Sequence, residues 1–143
     1  MRIEKSVEIK ASPEKVWEMM AFDNAVEWME GWKSGKYTSE VHNPKDKYRV
    51  GASAHIIGPE EFDAEITESL ENEKIVYRLE VPRMTAIITS ILESVDEGTK
   101  FTHVIDAELP WGVLGKFLGR VMRGAGEKDA EKSLEKLKSI LEK

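Results

Sequence analysis

The side chains best able to do chemistry in this chain of 143 residues are three histidines and three tyrosines, and it has no cysteine. His103 lies in Phe101-Thr102-His103-Val104-Ile105-Asp106-Ala107. Strand alternation there puts Phe101, His103, Ile105, Ala107 and Leu109 on one face and Thr102, Asp106 and Glu108 on the other. An imidazole on the apolar face is a ligand hydrogen-bonding group, a general acid or base, or a core histidine satisfied by a backbone carbonyl or water. Leaving its nitrogens unpaired would cost roughly 1–3 kcal/mol, so each reading requires a partner. Tyr77 shares a face with Ile75, Leu79 and Val81, and its hydroxyl either enters the interior or reaches a neighbouring carbonyl. His55 sits where neither strand face is clearly polar, and its side is not assigned. His42 falls beside a turn and is expected to face solvent.

These groups do not make a catalytic set. The histidines have no HxH, HExxH or carboxylate spacing, so no metal is expected, and without cysteine there is no thiolate ligand or nucleophile. No serine stands in a nucleophile elbow. No catalytic residue is assigned and no cofactor is expected.

The elements that would position these groups follow from periodicity. Arg2 to Lys10 alternates as a strand, with Ile3, Val7 and Ile9 inward. Ser12 and Pro13 then open a helix to about Met20, as N-cap and first helical residue. A second short helix is expected over Phe22 to Met29. Strands are expected over Trp32–His42, Arg49–Ile57, Glu61–Leu70, Lys74–Val81, Met84–Val95 and Thr99–Leu109, separated by breaker-rich turns such as Asn43-Pro44-Lys45-Asp46 and Asp96-Glu97-Gly98. A long helix over Leu109–Lys143 ends the chain. The order β–α–α–β–β–β–β–β–β–α gives an α+β fold: a curved seven-stranded antiparallel sheet with two short helices after its first strand. Only the C-terminal helix is long enough to cover one face of that sheet.

The final helix has two unlike halves. Gly112, Gly115, Gly119, Gly124 and Gly126 interrupt its first half, although an interior glycine costs about 1 kcal/mol relative to alanine. Such glycines suggest a requirement for close approach, bending or a thin wall. The second half carries Ala130, Leu134, Leu137 and Leu141 on one stripe. On a straight helix that stripe lies roughly opposite Leu114–Leu118–Val121–Ala125. The helix is therefore expected to break or overwind near Gly124–Gly126, or to bury different faces in its two halves. Lys116, Arg120 and Arg123 form a basic face, read as a solvated surface; peripheral membrane contact is the less favoured alternative.

Net charge is −6 with 34% charged residues, which argues against a nucleic-acid partner. No apolar leader opens the chain and no stretch is long enough to span a bilayer, so a single cytoplasmic domain over residues 1–143 is expected.

Two local motifs carry a resemblance that extends over the whole chain. Val7-Glu8-Ile9-Lys10-Ala11-Ser12-Pro13-Glu14-Lys15-Val16-Trp17 resembles the strand and Pro-x-x-Val-Trp helix of the polyketide cyclase/START-related superfamily, with its Bet v 1-like or helix-grip fold. Glu97-Gly98-Thr99-Lys100-Phe101-Thr102 is similar to its Gly-Thr hairpin. The resemblance implies a hydrophobic cavity between sheet and helix. The leading expectation is binding or carrying of a small hydrophobic partner, lipid, isoprenoid or polyketide-like. The alternatives are a cofactor-free cyclase or aromatase using His103 and Tyr77, and a protein-interaction module whose cavity is filled. Trp28, Trp32, Tyr77, His103, Phe117 and Val121 are the candidate ligand-binding residues. Trp17 is assigned to the core and Trp111 to the entry of the last helix. Oligomeric state is left open.

Overall fold

The computed structural model describes the chain apart from residues 83 and 109–111, and for residues 108 and 112–122 it describes the backbone alone. β1 (Arg2–Ile9) leads into α1 (Pro13–Glu18) and α2 (Phe22–Ala25), followed by β2 (Ser34–Tyr37), a 3-10 turn (Pro44–Lys47) and β3 (Ser53–Ile57). β4 (Glu61–Leu70), β5 (Lys74–Val81), β6 (Met84–Val95), β7 (Gly98–Glu108) and α3 (Gly112–Leu141) complete the chain. The strands form one seven-stranded antiparallel sheet in the order β1-β7-β6-β5-β4-β3-β2. A register shift between Ile66 and Glu68 adds local bending to β4.

The expected alternation decides which face is covered. Ile3 and Ile9 of β1 are buried while Arg2, Glu4, Ser6 and Glu8 are exposed. Ser12 caps α1, its Oγ accepting from the Lys15 amide at 3.4 Å. The Gly-Thr pair at the start of β7 has a physical reason. A Cβ on Gly98 would stand 2.0 Å from the Ile9 carbonyl oxygen, and the buried Thr99 hydroxyl donates to the Ala11 carbonyl at 2.8 Å. These two residues fasten the β1–α1 turn to the sheet.

Three elements are shorter than their sequence pattern suggests. The expected strand over 32–42 is paired only at Ser34–Tyr37, and that over 49–57 only at Ser53–Ile57. Between them the backbone bonds to nearby side chains: Asn43 Oδ1 accepts from the Lys45 amide at 3.0 Å and Asp46 Oδ2 from the His42 amide at 2.8 Å. The second helix stops at Ala25, and the turns beyond it let the Trp28 indole donate back to the Met19 carbonyl at 2.8 Å.

α3 is unbroken from Gly112 to Leu141, so of the alternatives expected for it a break near Gly124–Gly126 does not occur. Its sheet-facing stripe is Ala130, Ser133, Leu134 and Leu137, all buried. Gly126 continues it, since a Cβ there would lie 2.7 Å from Ile3 Cδ1. The helix follows β1 in parallel: Glu131 pairs with Lys5 at 3.1 Å, Lys138 Nζ donates to the Glu8 carbonyl at 2.9 Å, and Glu142 accepts from the Lys10 amide at 3.0 Å. The sixteen residue steps from Gly126 to Glu142 rise about 24 Å, close to the length of β1 from Ile3 to Lys10. Which face the first half buries lies outside the described residues, as do Trp111 and the side chains of Lys116 and Arg120. Arg123 of the same basic face donates to Glu127 at 3.3 Å.

Candidate functional site

Cross-strand pairing arranges the concave face of the sheet, the face that α3 covers, in rows. One row runs Ala107–Ala86–Leu79–Ala64–Ala54 across β7, β6, β5, β4 and β3. Every member is 5% exposed or less. Four alanines in five positions leave this strip of sheet with little side-chain volume. The row on one side is large: Ile105, Ile88, Tyr77 and Ile66. On the other side Met84, Val81 and Phe62 are partly buried, and Trp32 packs edge-on against Phe62 at 5.5 Å between centroids.

Beyond the large row lies a polar one. His103 on β7 is flanked by Ser90 on β6 and Lys5 on β1. His103 is 1% exposed and Ser90 0%. Among the described residues, neither ring nitrogen of His103 nor the Ser90 hydroxyl has a hydrogen-bond partner. Directly opposed residues of an antiparallel pair have Cβ atoms about 5 Å apart, so these three atoms belong to one polar spot in an apolar wall. Trp28 meets the His103 ring edge-on at 5.6 Å, and Phe101 stacks on it at 6.1 Å. Burial pushes the imidazole down to about 4, so at neutral pH it is uncharged, with one nitrogen donating and the other accepting. Lys5 does not supply a charge to this spot, because its ammonium pairs with Glu131 of α3.

The structure brings Trp28 and His103 together and sets Tyr77 and Trp32 apart. Tyr77 packs on Phe22 at 5.4 Å, and its hydroxyl donates to the Met20 carbonyl at 2.6 Å. Burial raises that phenol well above its ordinary range. Tyr77 lies two strands and one row from His103, about 12 Å at the usual strand spacing and rise, too far for direct proton exchange. Trp32 stands at the rim, where the backbone of Gly58 approaches that of Gly31 so closely that a Cβ would lie 2.6 Å from the Gly31 oxygen. The side chains of Phe117 and Val121 are outside the described residues. Ser90 and the alanine row are new to the site. Ala86, Ile88 and Ser90 share a strand face by alternation, but strand register was needed to place them beside Ala107 and His103.

His55 points outward, its Nδ1 3.0 Å from Asp63 and Nε2 3.2 Å from Glu61; those hydrogen bonds raise its pKa. His42 is exposed beside Glu40 at 3.1 Å. Among the described residues no group of three His, Asp or Glu is arranged to hold a metal, and no helix is long and apolar enough to cross a membrane. An outer cleft of about 480 Å³ between the α2–β2 connection and α3 has charged walls, including Glu27, Glu30, Lys132 and Lys136, unsuited to an apolar molecule.

A curved seven-stranded sheet with two short helices after its first strand and a long C-terminal helix is the helix-grip architecture. Solved structures share it along almost the whole chain. MLL2253 from Mesorhizobium loti is 17% identical with a TM-score of 0.77, covering 99% of this chain and 97% of its own. BH1534 from Bacillus halodurans is 18% identical with a TM-score of 0.74, covering 99% and 96%. DynU16, a protein of the dynemicin biosynthetic locus, is 16% identical with a TM-score of 0.67; the match takes in 99% of this chain but 47% of DynU16. No curated protein sequence matches the chain. Residues 1–142 match the model of the family described as polyketide cyclase/dehydrase and lipid transport, and the chain belongs to that family.

Proposed function

We propose that this protein binds and carries a small hydrophobic ligand between the sheet and α3, over the alanine row. The observation that carries this reading is the row itself, Ala107, Ala86, Ala64 and Ala54, set between larger apolar rows on the one face of the sheet that must be covered. Helical register supports it. Along an unbroken helix, the repeat that turns Ala130, Leu134 and Leu137 to the sheet runs back through Gly126 and the exposed Arg123 to sequence positions 119 and 115, both glycine. Small residues would then face small residues, which leaves room for a guest. Ligand sites of this kind need apolar walls and few polar groups, and among the described residues the wall has an unpartnered polar spot at His103 and Ser90. Within a family whose description includes both cyclases and lipid transport, carriage is favoured because the Tyr77 hydroxyl is committed to Met20 and the His103 imidazole is a weak base.

Two measurements test the reading. Titration with the uncharged dye phenylnaphthylamine is expected to give saturable fluorescence enhancement at one equivalent. Native mass spectrometry of protein purified from cells is expected to show an apolar adduct. Neither a saturable signal nor an adduct would mean that the space is filled by side chains, as in an interaction module.

A further inference from the structure

We infer that the ligand carries an uncharged hydroxyl group, alcohol or phenol, and that Ser90 and His103 are its anchor. This rests on the proposed apolar site and specifies what enters it. Three polar atoms on adjacent strands, the Ser90 hydroxyl and the two imidazole nitrogens, are buried without described partners in a wall otherwise built from Phe101, Ile105, Ile88 and Trp28. Such groups are costly to leave unmade, and native interiors seldom tolerate several side by side. The partner they lack must both donate and accept. A neutral imidazole offers one donor and one acceptor, and a serine hydroxyl offers both. A guest hydroxyl can donate to the accepting nitrogen of His103 and accept from Ser90.

The same geometry discriminates between head groups. A carboxylate or phosphate would arrive charged at a spot where the one cation of the row, Lys5, is held by Glu131 at 3.1 Å, and burying a charge without a counter-charge is prohibitive. A purely apolar guest would leave all three atoms unpaired. The alanine row lies two rows along the same face, so an apolar body resting there is within reach of the anchor through its own length.

Competition against bound phenylnaphthylamine, with three guests of one ring system, tests the inference. Naphthol is expected to displace the dye at about tenfold lower concentration than methylnaphthalene, the worth of about one well-placed neutral hydrogen bond, and naphthoate to be weaker than naphthol. Ser90→Ala, which removes only an unpartnered hydroxyl and should fold as before by circular dichroism, is expected to cut naphthol's advantage to about threefold or less while leaving methylnaphthalene unchanged. Naphthol, but not methylnaphthalene, should also shift the His103 ring-nitrogen resonances. Equal competition by naphthol and methylnaphthalene would overturn the inference and assign the three atoms to a structural water, while the apolar site stands. Strongest competition by naphthoate would overturn it in favour of an anion site. No dye binding together with no His103 response to naphthol would overturn both readings.

Discussion

Ala86→Leu tests whether the alanine row floors an open space. Ala86 is 5% exposed and central, with Leu79 on one side and Ala107 on the other. Leucine adds three carbons pointing from the concave face. If the space above the row is open to a guest, those carbons bury themselves at about 0.8 kcal/mol each, so stability rises by about 2 kcal/mol. If neighbouring side chains already fill the space, overpacking costs about 1–3 kcal/mol instead. The two readings therefore differ in sign. For a domain of 143 residues the gain corresponds to a rise in Tm of about 8 °C, which thermal unfolding followed by circular dichroism resolves easily. The same carbons occupy the proposed ligand volume, so phenylnaphthylamine affinity should fall at least about tenfold, the equivalent of about 1.4 kcal/mol. Ala25→Leu is the control, since Ala25 is fully buried in α2 within the core and should be destabilised. Loss of stability in Ala86→Leu equal to that in Ala25→Leu, with dye binding unchanged, would refute the reasoning.

Two further outcomes follow from the same structure. Burial holds the His103 pKa at about 4 against 6.5 in the unfolded chain, so between those pH values the unfolded state binds the extra proton and stability falls as pH falls. At about 1.4 kcal/mol per unit the full loss is about 3 kcal/mol, with no contribution above pH 6.5; the charged residue opposite His103 on β1 is Lys5, which pairs with Glu131 of α3. Urea unfolding at pH 7 and pH 5 should show about 2 kcal/mol more acid sensitivity in the wild type than in His103→Phe, and equal sensitivity would sink the assignment. Gly124→Ala meets open space and should gain about 1 kcal/mol of helix propensity, whereas Gly126→Ala must move Ile3 Cδ1 and should gain less. Equal denaturant midpoints for the two variants would contradict the contact between Gly126 and β1.

Much of this fold is written in periodicity. β4, β5 and β6 begin and end where alternation and turn residues put them, because long strands with one apolar face leave little freedom of register. The shortened β2 and β3 were not legible. Their pattern is locally strand-like, and what replaces the ladder between them is a 3-10 turn capped by Asn43 and Asp46, followed by a backbone turn from Arg49 to Ala52 with Gly51 at positive φ. The site divides in the same way. His103 on an apolar face is a single-strand observation, and alternation suffices for it. The alanine row and the adjacency of Ser90 to His103 are properties of register between strands distant in sequence, and no local pattern encodes register. The outward position of His55 was likewise decided by Asp63 and Glu61 on the neighbouring strand.

The unbroken α3 changes the meaning of its glycines. If the helix broke near residues 124–126, both glycines there would be explained by the bend; in a continuous helix Gly126 is explained by what it faces, whereas Gly124 meets open space. Four interior glycines, at 115, 119, 124 and 126, cost about 4 kcal/mol relative to alanine, a large share of a typical total stability of 5–15 kcal/mol. Gly126 repays its share by close approach to Ile3. The helix tolerates the rest because its other end is secured: Leu134 and Leu137 are buried at about 1.5–3 kcal/mol each, and Ser133 accepts from the Glu30 amide at 2.9 Å. Exposed pairs such as Lys5 with Glu131 fix register more than they add energy. A firmly held C-terminal half therefore supports an N-terminal half of weaker propensity. This division of labour is what the proposed ligand site would need, a wall able to admit a guest over a sheet that stays fixed.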